Sequence, residues 1–396
     1  MSVSGSEARP GWPSRLKTRQ PPPNREAAAR VLSAMIGAPR PGSIYKALQQ
    51  LGGGWLRRQG LAALAWQHWR GGSDCPLGVT LDLKAAWYAA VGDTELHRRE
   101  LHSVLTALVA ANLQPVVFKG AALAYTVYPD PACRLMNDLD VWIEADEMAR
   151  ARAALHAVGY RFGYKPDRPP ALMETHNGEV RLYGPDSAAG LVELHFGVFA
   201  GVWLQRVARV NEAVIRARCQ PVEAAGVRAW TLSPEDHLIQ VAVHNAVNHQ
   251  LSLSALRNIV DVALLVRHQP LDWVAVVQRA REWRVATATW LVLSLAVDLC
   301  GLTEAAEAMQ QLAPSRLRQK LIGLFASAES LVEMRDLSKS KWRYVYLLLL
   351  VDRARDAMKL IYRALWPEDE WLQARYNRAE LGTRLRHLFN AARGRI

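Results

Sequence analysis

Two aspartates stand one residue apart in the stretch RLMNDLDVWIE, at Asp138 and Asp140, where an apolar run begins. Side chains alternate faces along a strand, so these carboxylates share one face at a spacing of roughly 6–7 Å. Two carboxylates so placed repel unless a cation lies between them. Mg²⁺ accepts a few carboxylate oxygens and completes its shell with water and substrate phosphates. The pattern predicts a divalent-metal site for phosphate chemistry. A bare Asp-x-Asp also suits a solvated strand entrance, so the neighbouring residues have to decide.

Three neighbours point the same way. In FKGAAL (118–123) a strand ends in Lys119-Gly120 and a helix follows. Gly120 allows close backbone approach, the helix N-terminus offers N–H groups to a phosphate, and Lys119 adds a charge. The plainer reading is an ordinary strand-to-helix turn. Arg134 lies four residues before Asp138, in a loop from which it reaches a phosphate or simply solvent. Glu193 sits in VELHF among Val192, Leu194 and Phe196. A carboxylate buried in such a run needs a partner. If its strand lies beside that of Asp138 and Asp140, three acids converge on two metals. Otherwise Glu193 and His195 face water together.

The elements that position these residues follow from periodicity. Residues 24–111 read as helices, with apolar residues at three- and four-residue spacing. Strands are predicted at 114–120, 138–144, 178–184, 190–196 and 227–232. PDSAA marks a hairpin between the third and fourth. ADEMARARAALHAVGY (145–160) is an amphipathic helix, and from residue 233 nearly everything is helical. The fold class is α+β: a small mixed sheet flanked by helical regions. We divide the chain into a basic, disordered leader (1–23), an N-terminal helical segment (24–111), a catalytic core (112–232) and a C-terminal helical region (233–396).

The chain has 396 residues, half of them apolar, with a net charge of +12 and a pI near 9.8. That balance favours anionic partners: nucleotides, nucleic acid or a membrane surface. The C-terminal arginines, from Arg375 to Arg395, serve either solubility or anion contact. Cys75, Cys133, Cys219 and Cys300 are scattered and form no CxxC pair. This argues against a disulfide scaffold or a zinc site and suits the cytoplasm. The runs YVYLLLLV (344–351) and WLVLSLAV (290–297) fall short of the ~20 residues of a membrane span and read as core helices. Trp230, Trp273, Trp283, Trp342 and Trp366 are assigned to core packing. No P-loop, Rossmann or GxSxG pattern is present.

Taken together, FKGAALAYTVYPDPACRLMNDLDVWIE, ALHAVGYRF, GLVELHF, LSPEDHLIQVAVHNAVNH and LRNIVDVALLV resemble a bacterial family of uncharacterised nucleotidyltransferase-like proteins. That family lies within the polymerase-β-type nucleotidyltransferase superfamily. The stretches are also similar to abortive-infection and toxin nucleotidyltransferases, which carry Lys-Gly-Gly in place of Gly-Ser. The resemblance implies transfer of an NMP from an NTP, ATP among the candidates, to a hydroxyl acceptor, with release of pyrophosphate. It implies that Asp138, Asp140 and Glu193 hold two Mg²⁺ or Mn²⁺ ions, with Glu193 helping to activate the attacking hydroxyl. Lys119 and Gly120 fall on the turn that holds the triphosphate, and Arg134 joins them at the nucleotide. The turn departs from Gly-Ser in having no hydroxyl. The acceptor is a small molecule, a biosynthetic intermediate or an RNA end, and its pocket is assigned to His195, His244 and Arg257. His237 and His244 share a helix face, whereas His249 is out of line with them. Arg257 and Asp261, four apart, read as an ion pair. The rival is a non-catalytic descendant of the same fold that binds a nucleotide or a protein.

Overall fold

The computed structural model describes residues 23–392 apart from 71, 73, 164–171, 173–177, 186–190, 253 and 254. The leader, save residue 23, and most of the PDSAA turn lie outside the described residues. The architecture is α+β, a seven-stranded mixed sheet between N-terminal and C-terminal helices.

The strands are β1 (Val116–Val117), β2 (Asp138–Trp142), β3 (Arg161–Gly163), β4 (Glu179–Tyr183), β5 (Leu191–His195), β6 (Gln220–Ala224) and β7 (Val227–Thr231). They lie in the order β3-β4-β5-β2-β1-β7-β6. Two pairings decide the chemistry. β2 and β5 run parallel at the sheet's centre, with Asp140 opposite Glu193 and Trp142 opposite His195. β4 and β5 run antiparallel, with Arg181 opposite Glu193 and Glu179 opposite His195. The sequence reading missed β3 and β6. β3 is only three residues long, and β6 carries Pro221, which a sheet tolerates only where its ladder is incomplete.

Alternation sorts β2 cleanly. Leu139, Val141 and Ile143 join one core cluster with Val192 and Leu194 of β5 and with Leu101, Val104, Leu105 and Leu108. Those last four belong to a single 34-residue helix, Leu77–Ala110. Asp138 and Asp140 are left on the opposite face, toward the C-terminal helices. The apolar stretch WLRRQGLAALAWQHW breaks into two helices, Gly53–Arg58 and Ala62–Trp69, around Gly60 at φ 69°. Only a residue without Cβ takes that turn cheaply.

The main core packs Phe118, Leu123 and Trp142 against Leu238, Val243, Leu256 and Ile259. Helix Ala286–Cys300 is nearly all buried, as its apolar run suggests. The run at 344–351 is less so, because Tyr344 and Val345 remain exposed. Trp342 is also not a core residue: it is 55% exposed at a helix start. Among the described residues, no helix is long and apolar enough to cross a membrane.

Candidate active site

The turn after β1 is tighter than FKG alone suggests. The strand stops at Val117, and Lys119 and Gly120 already form the first turn of helix Lys119–Thr126. Lys119 takes φ 53°, a left-handed conformation that a side chain with Cβ adopts at a cost of about 1–2 kcal/mol. The strain is offset by a buried ion pair: Lys119 Nζ lies 2.7 Å from Asp140 Oδ1. Burial alone pulls the lysine's pKa down. The charges of Asp140 and Glu193 more than reverse this, so it stays a cation.

Gly120 has a specific reason. A Cβ there lies 3.1 Å from Cζ and Nη2 of Arg134, whose guanidinium packs beneath the turn. That guanidinium is pinned: Nε and Nη2 donate to the two oxygens of Asp261 at 2.7 and 2.8 Å. Tyr128 donates its hydroxyl to the same carboxylate at 2.7 Å. Arg134 is therefore not a loop arginine reaching into solvent. It is a buried cation fixed under the Lys119–Gly120 backbone. The expected Arg257–Asp261 pair does not form, because Arg134 and Tyr128 occupy Asp261 from across the helix. Arg257 instead donates to the Leu135 carbonyl at 2.9 Å. Burial, then the neighbouring charge of Arg134, pulls Arg257 down to about 10.

The acids converge as the strand pairing requires. Ligand atoms of Asp140, Glu193 and His195 all lie within 4.8 Å of one another. Asp138, which the sequence placed with them, is not part of that set; its pKa is raised by burial and then by the charge of Asp140. Glu193 is thus not a solvent-facing strand residue. It is buried and receives Arg181 Nη2 at 2.6 Å. Arg181 was invisible to motif reasoning, since only the β4–β5 register brings it opposite Glu193.

His195 belongs to this cluster and not to an open pocket. It is 0% exposed, its Nε2 lies 2.7 Å from Asp140 Oδ1, and its ring meets Phe118 edge-on at 5.0 Å. Burial, then the charge of Lys119, drives its pKa well below the ordinary histidine value. It is a neutral imidazole whose Nε2–H donates to the carboxylate, which leaves Nδ1 bare.

Two cavities open onto these groups. The smaller, of about 70 Å³, is lined by Lys119, Gly120, Arg134, Asp138, Arg257 and Asn258 among others. The larger, of about 530 Å³, takes in Asp138, Glu179, Arg181, Glu193 and residues of the C-terminal helices. His244 and His249 line both. Their proximity reverses the sequence expectation. At His244 the helix widens to π geometry through Asn248, and His249 N–H bonds back to the His244 carbonyl at 3.0 Å. A five-residue repeat brings these two rings to 4.5 Å. The 3.6-residue period would have separated them. His237 is buried on the same helix and lines neither cavity's described wall.

A cationic strand-to-helix turn faces carboxylates on two adjacent parallel strands, a set of groups that could hold a divalent metal ion. The family described as uncharacterised nucleotidyltransferase matches residues 54–301, and the chain belongs to it. The match covers more than half the chain and takes in every described strand and the Lys119, Arg134, Asp138, Asp140, Arg181, Glu193, His195, Arg257 and Asp261 of this site. It ends before the helices that close the larger cavity. No curated protein matches the chain.

Proposed function

We propose that this protein transfers an NMP from an NTP, ATP among the candidates, to a hydroxyl of an acceptor, releasing pyrophosphate. One observation carries the reading: the parallel register that sets Asp140 opposite Glu193, with Asp138 and His195 on the same face. The donor set suits Mg²⁺ or Mn²⁺, since it is mostly carboxylate, buried and crowded enough to raise the pKa of Asp138. Asp138, Asp140 and Glu193 would hold two such ions, with His195 adjoining. Bound there, the ions would lower the pKa of the acceptor hydroxyl and neutralise charge on the leaving pyrophosphate.

The chain's own groups divide the remaining work. Lys119 and the N–H groups after it take the triphosphate, with Gly120 allowing close approach and Arg134 and Arg257 supplying positive charge beneath it. The acceptor oxygen attacks the α-phosphorus, forming one O–P bond as the bond to the bridging oxygen of pyrophosphate breaks. Glu193 takes the hydroxyl's proton. The turn has no hydroxyl, so Lys119 carries more of the phosphate grip than backbone and serine would share. His244, which lines both cavities, borders the acceptor side. In this reading, residues 112–232 supply the chemistry and 233–396 supply acceptor contacts.

Labelled substrate tests the reaction type. With α-labelled NTP the label should move to an acceptor, and with γ-labelled NTP it should leave as pyrophosphate. Label appearing as inorganic phosphate, or γ-label on the acceptor, would instead indicate hydrolysis or a kinase.

A further inference from the structure

The larger cavity has an aromatic wall that the family match reaches only in part. Trp203 stands on helix Val202–Val207, Tyr344 on helix Arg343–Leu349, and Trp371 and Arg375 on helix Asp369–Tyr376. All four line the same cavity as Asp138 and Glu193. Three of them follow residue 301, where the family match ends.

This wall is built, not incidental. Val207 packs with Val351 and Leu360, tying the Trp203 helix to the C-terminal helices. Glu368 receives Arg206 at 2.6 Å and Arg363 at 3.0 Å, just ahead of the Trp371 helix. Trp371 is held edge-on by His387, with ring centres 5.2 Å apart, and Arg375 lies 5.8 Å over it. His387 is itself oriented: its Nε2–H donates to the Ala364 carbonyl at 3.0 Å, and its Nδ1 accepts from Tyr376 at 2.9 Å.

We infer that this aromatic wall selects the acceptor, and that the acceptor is a small hydroxylated compound with a flat ring. The inference rests on the nucleotidyl-transfer reading. Two observations, volume and charge, favour a small compound over the end of a nucleic acid, and a third calls for a flat ring. The volume of about 530 Å³ is that of a small-molecule site. Its rings suit stacking against a flat partner. Its charged lining is Asp138, Glu179 and Glu193 against Arg181 and Arg375, and Arg181 is taken by Glu193. A polyanionic strand needs a track of free cations, and this wall offers none among its described residues beyond Arg375.

The test uses the full chain, α-labelled NTPs, Mg²⁺ and two pools from one cell extract: compounds below about 3 kDa, and purified RNA. Wild type, Trp371→Ala and Trp371→Phe are compared, and binding of trinitrophenyl-ATP monitors the nucleotide side. The expected result is label in the small-compound pool. Trp371→Ala should raise the half-saturating amount of that pool by about tenfold, and Trp371→Phe should restore most of it. Trinitrophenyl-ATP affinity should stay within about twofold throughout. Label in RNA, or unchanged acceptor saturation in Trp371→Ala, overturns the inference while leaving nucleotidyl transfer standing. Trinitrophenyl-ATP binding without transfer to either pool overturns the transferase reading itself, and this inference with it.

Discussion

Asp261→Asn is the most informative single change outside the acids. The substitution keeps the shape and removes the charge. Asp261 accepts Arg134 through both oxygens and Tyr128 through one, and its side chain is 1% exposed. Removing one partner of a buried ion pair leaves the other charge uncompensated, at a cost of about 3–5 kcal/mol. Unfolding entropy of about 2.1 cal/mol/K per residue gives about 0.8 kcal/mol/K for 396 residues. The melting temperature should therefore fall by about 4–6 °C, measured by scanning calorimetry at pH 7.5. The double change Arg134→Met/Asp261→Leu removes both charges and should recover most of that loss. Arg257→Met serves as the control: this arginine faces Arg134 without a carboxylate of its own, so its loss should leave the melting temperature within about 1 °C. A fall under 1 °C for Asp261→Asn, or a double variant no better than the single one, would refute the account of Arg134 as a buried, pinned cation.

Other outcomes follow from the same geometry. Gly120→Ala pushes a methyl against the pinned guanidinium of Arg134, so it should destabilise by about 1–3 kcal/mol, and chemical denaturation would show it. Lys119→Met removes the positive charge at the turn proposed to take the triphosphate, so steady-state kinetics should show a raised KM for NTP. Stability should fall as pH drops from 6.5 toward 4. Burial holds His237 and His249 at about 4 and drives His195 and His244 well below the ordinary value. These four rings are neutral in the fold but protonate near pH 6.5 when unfolded, so the unfolded chain binds more protons in that window. Asp138, raised by burial, and Glu212, raised to about 7, oppose the trend, but two carboxyls stand against four imidazoles. A melting temperature higher at pH 5 than at pH 7.5 would contradict this balance.

The acids were legible in the sequence because strand alternation is a strict two-residue period. Asp138, Asp140, Glu193 and His195 fell on predicted strands, and the pairing of β2 with β5 brought them together. What the sequence left open depended on register and on packing across long separations. Arg181 meets Glu193 only through the β4–β5 pairing, and Arg134 meets Asp261 across 127 residues. An i,i+4 rule favoured Arg257 for Asp261, but a better-placed guanidinium from another element won. The His244–His249 contact was hidden by a local π turn, which no 3.6-residue pattern reports. Short strands such as β3 leave too few residues for alternation to register. The aromatic wall was illegible for a different reason: its tryptophans look like core residues until the helices that carry them are placed against the sheet.

The central claim is that the carboxylate row performs nucleotidyl transfer. It is tested most directly by incubating the wild-type chain and Asp138→Ala/Asp140→Ala with each α-labelled NTP, Mg²⁺ or Mn²⁺ and cell extract. Wild type should place label on an extract component in a metal-dependent way, and the double variant should fall by at least about 10³-fold while staying folded. Equal labelling by both proteins, or none by either, would contradict the claim.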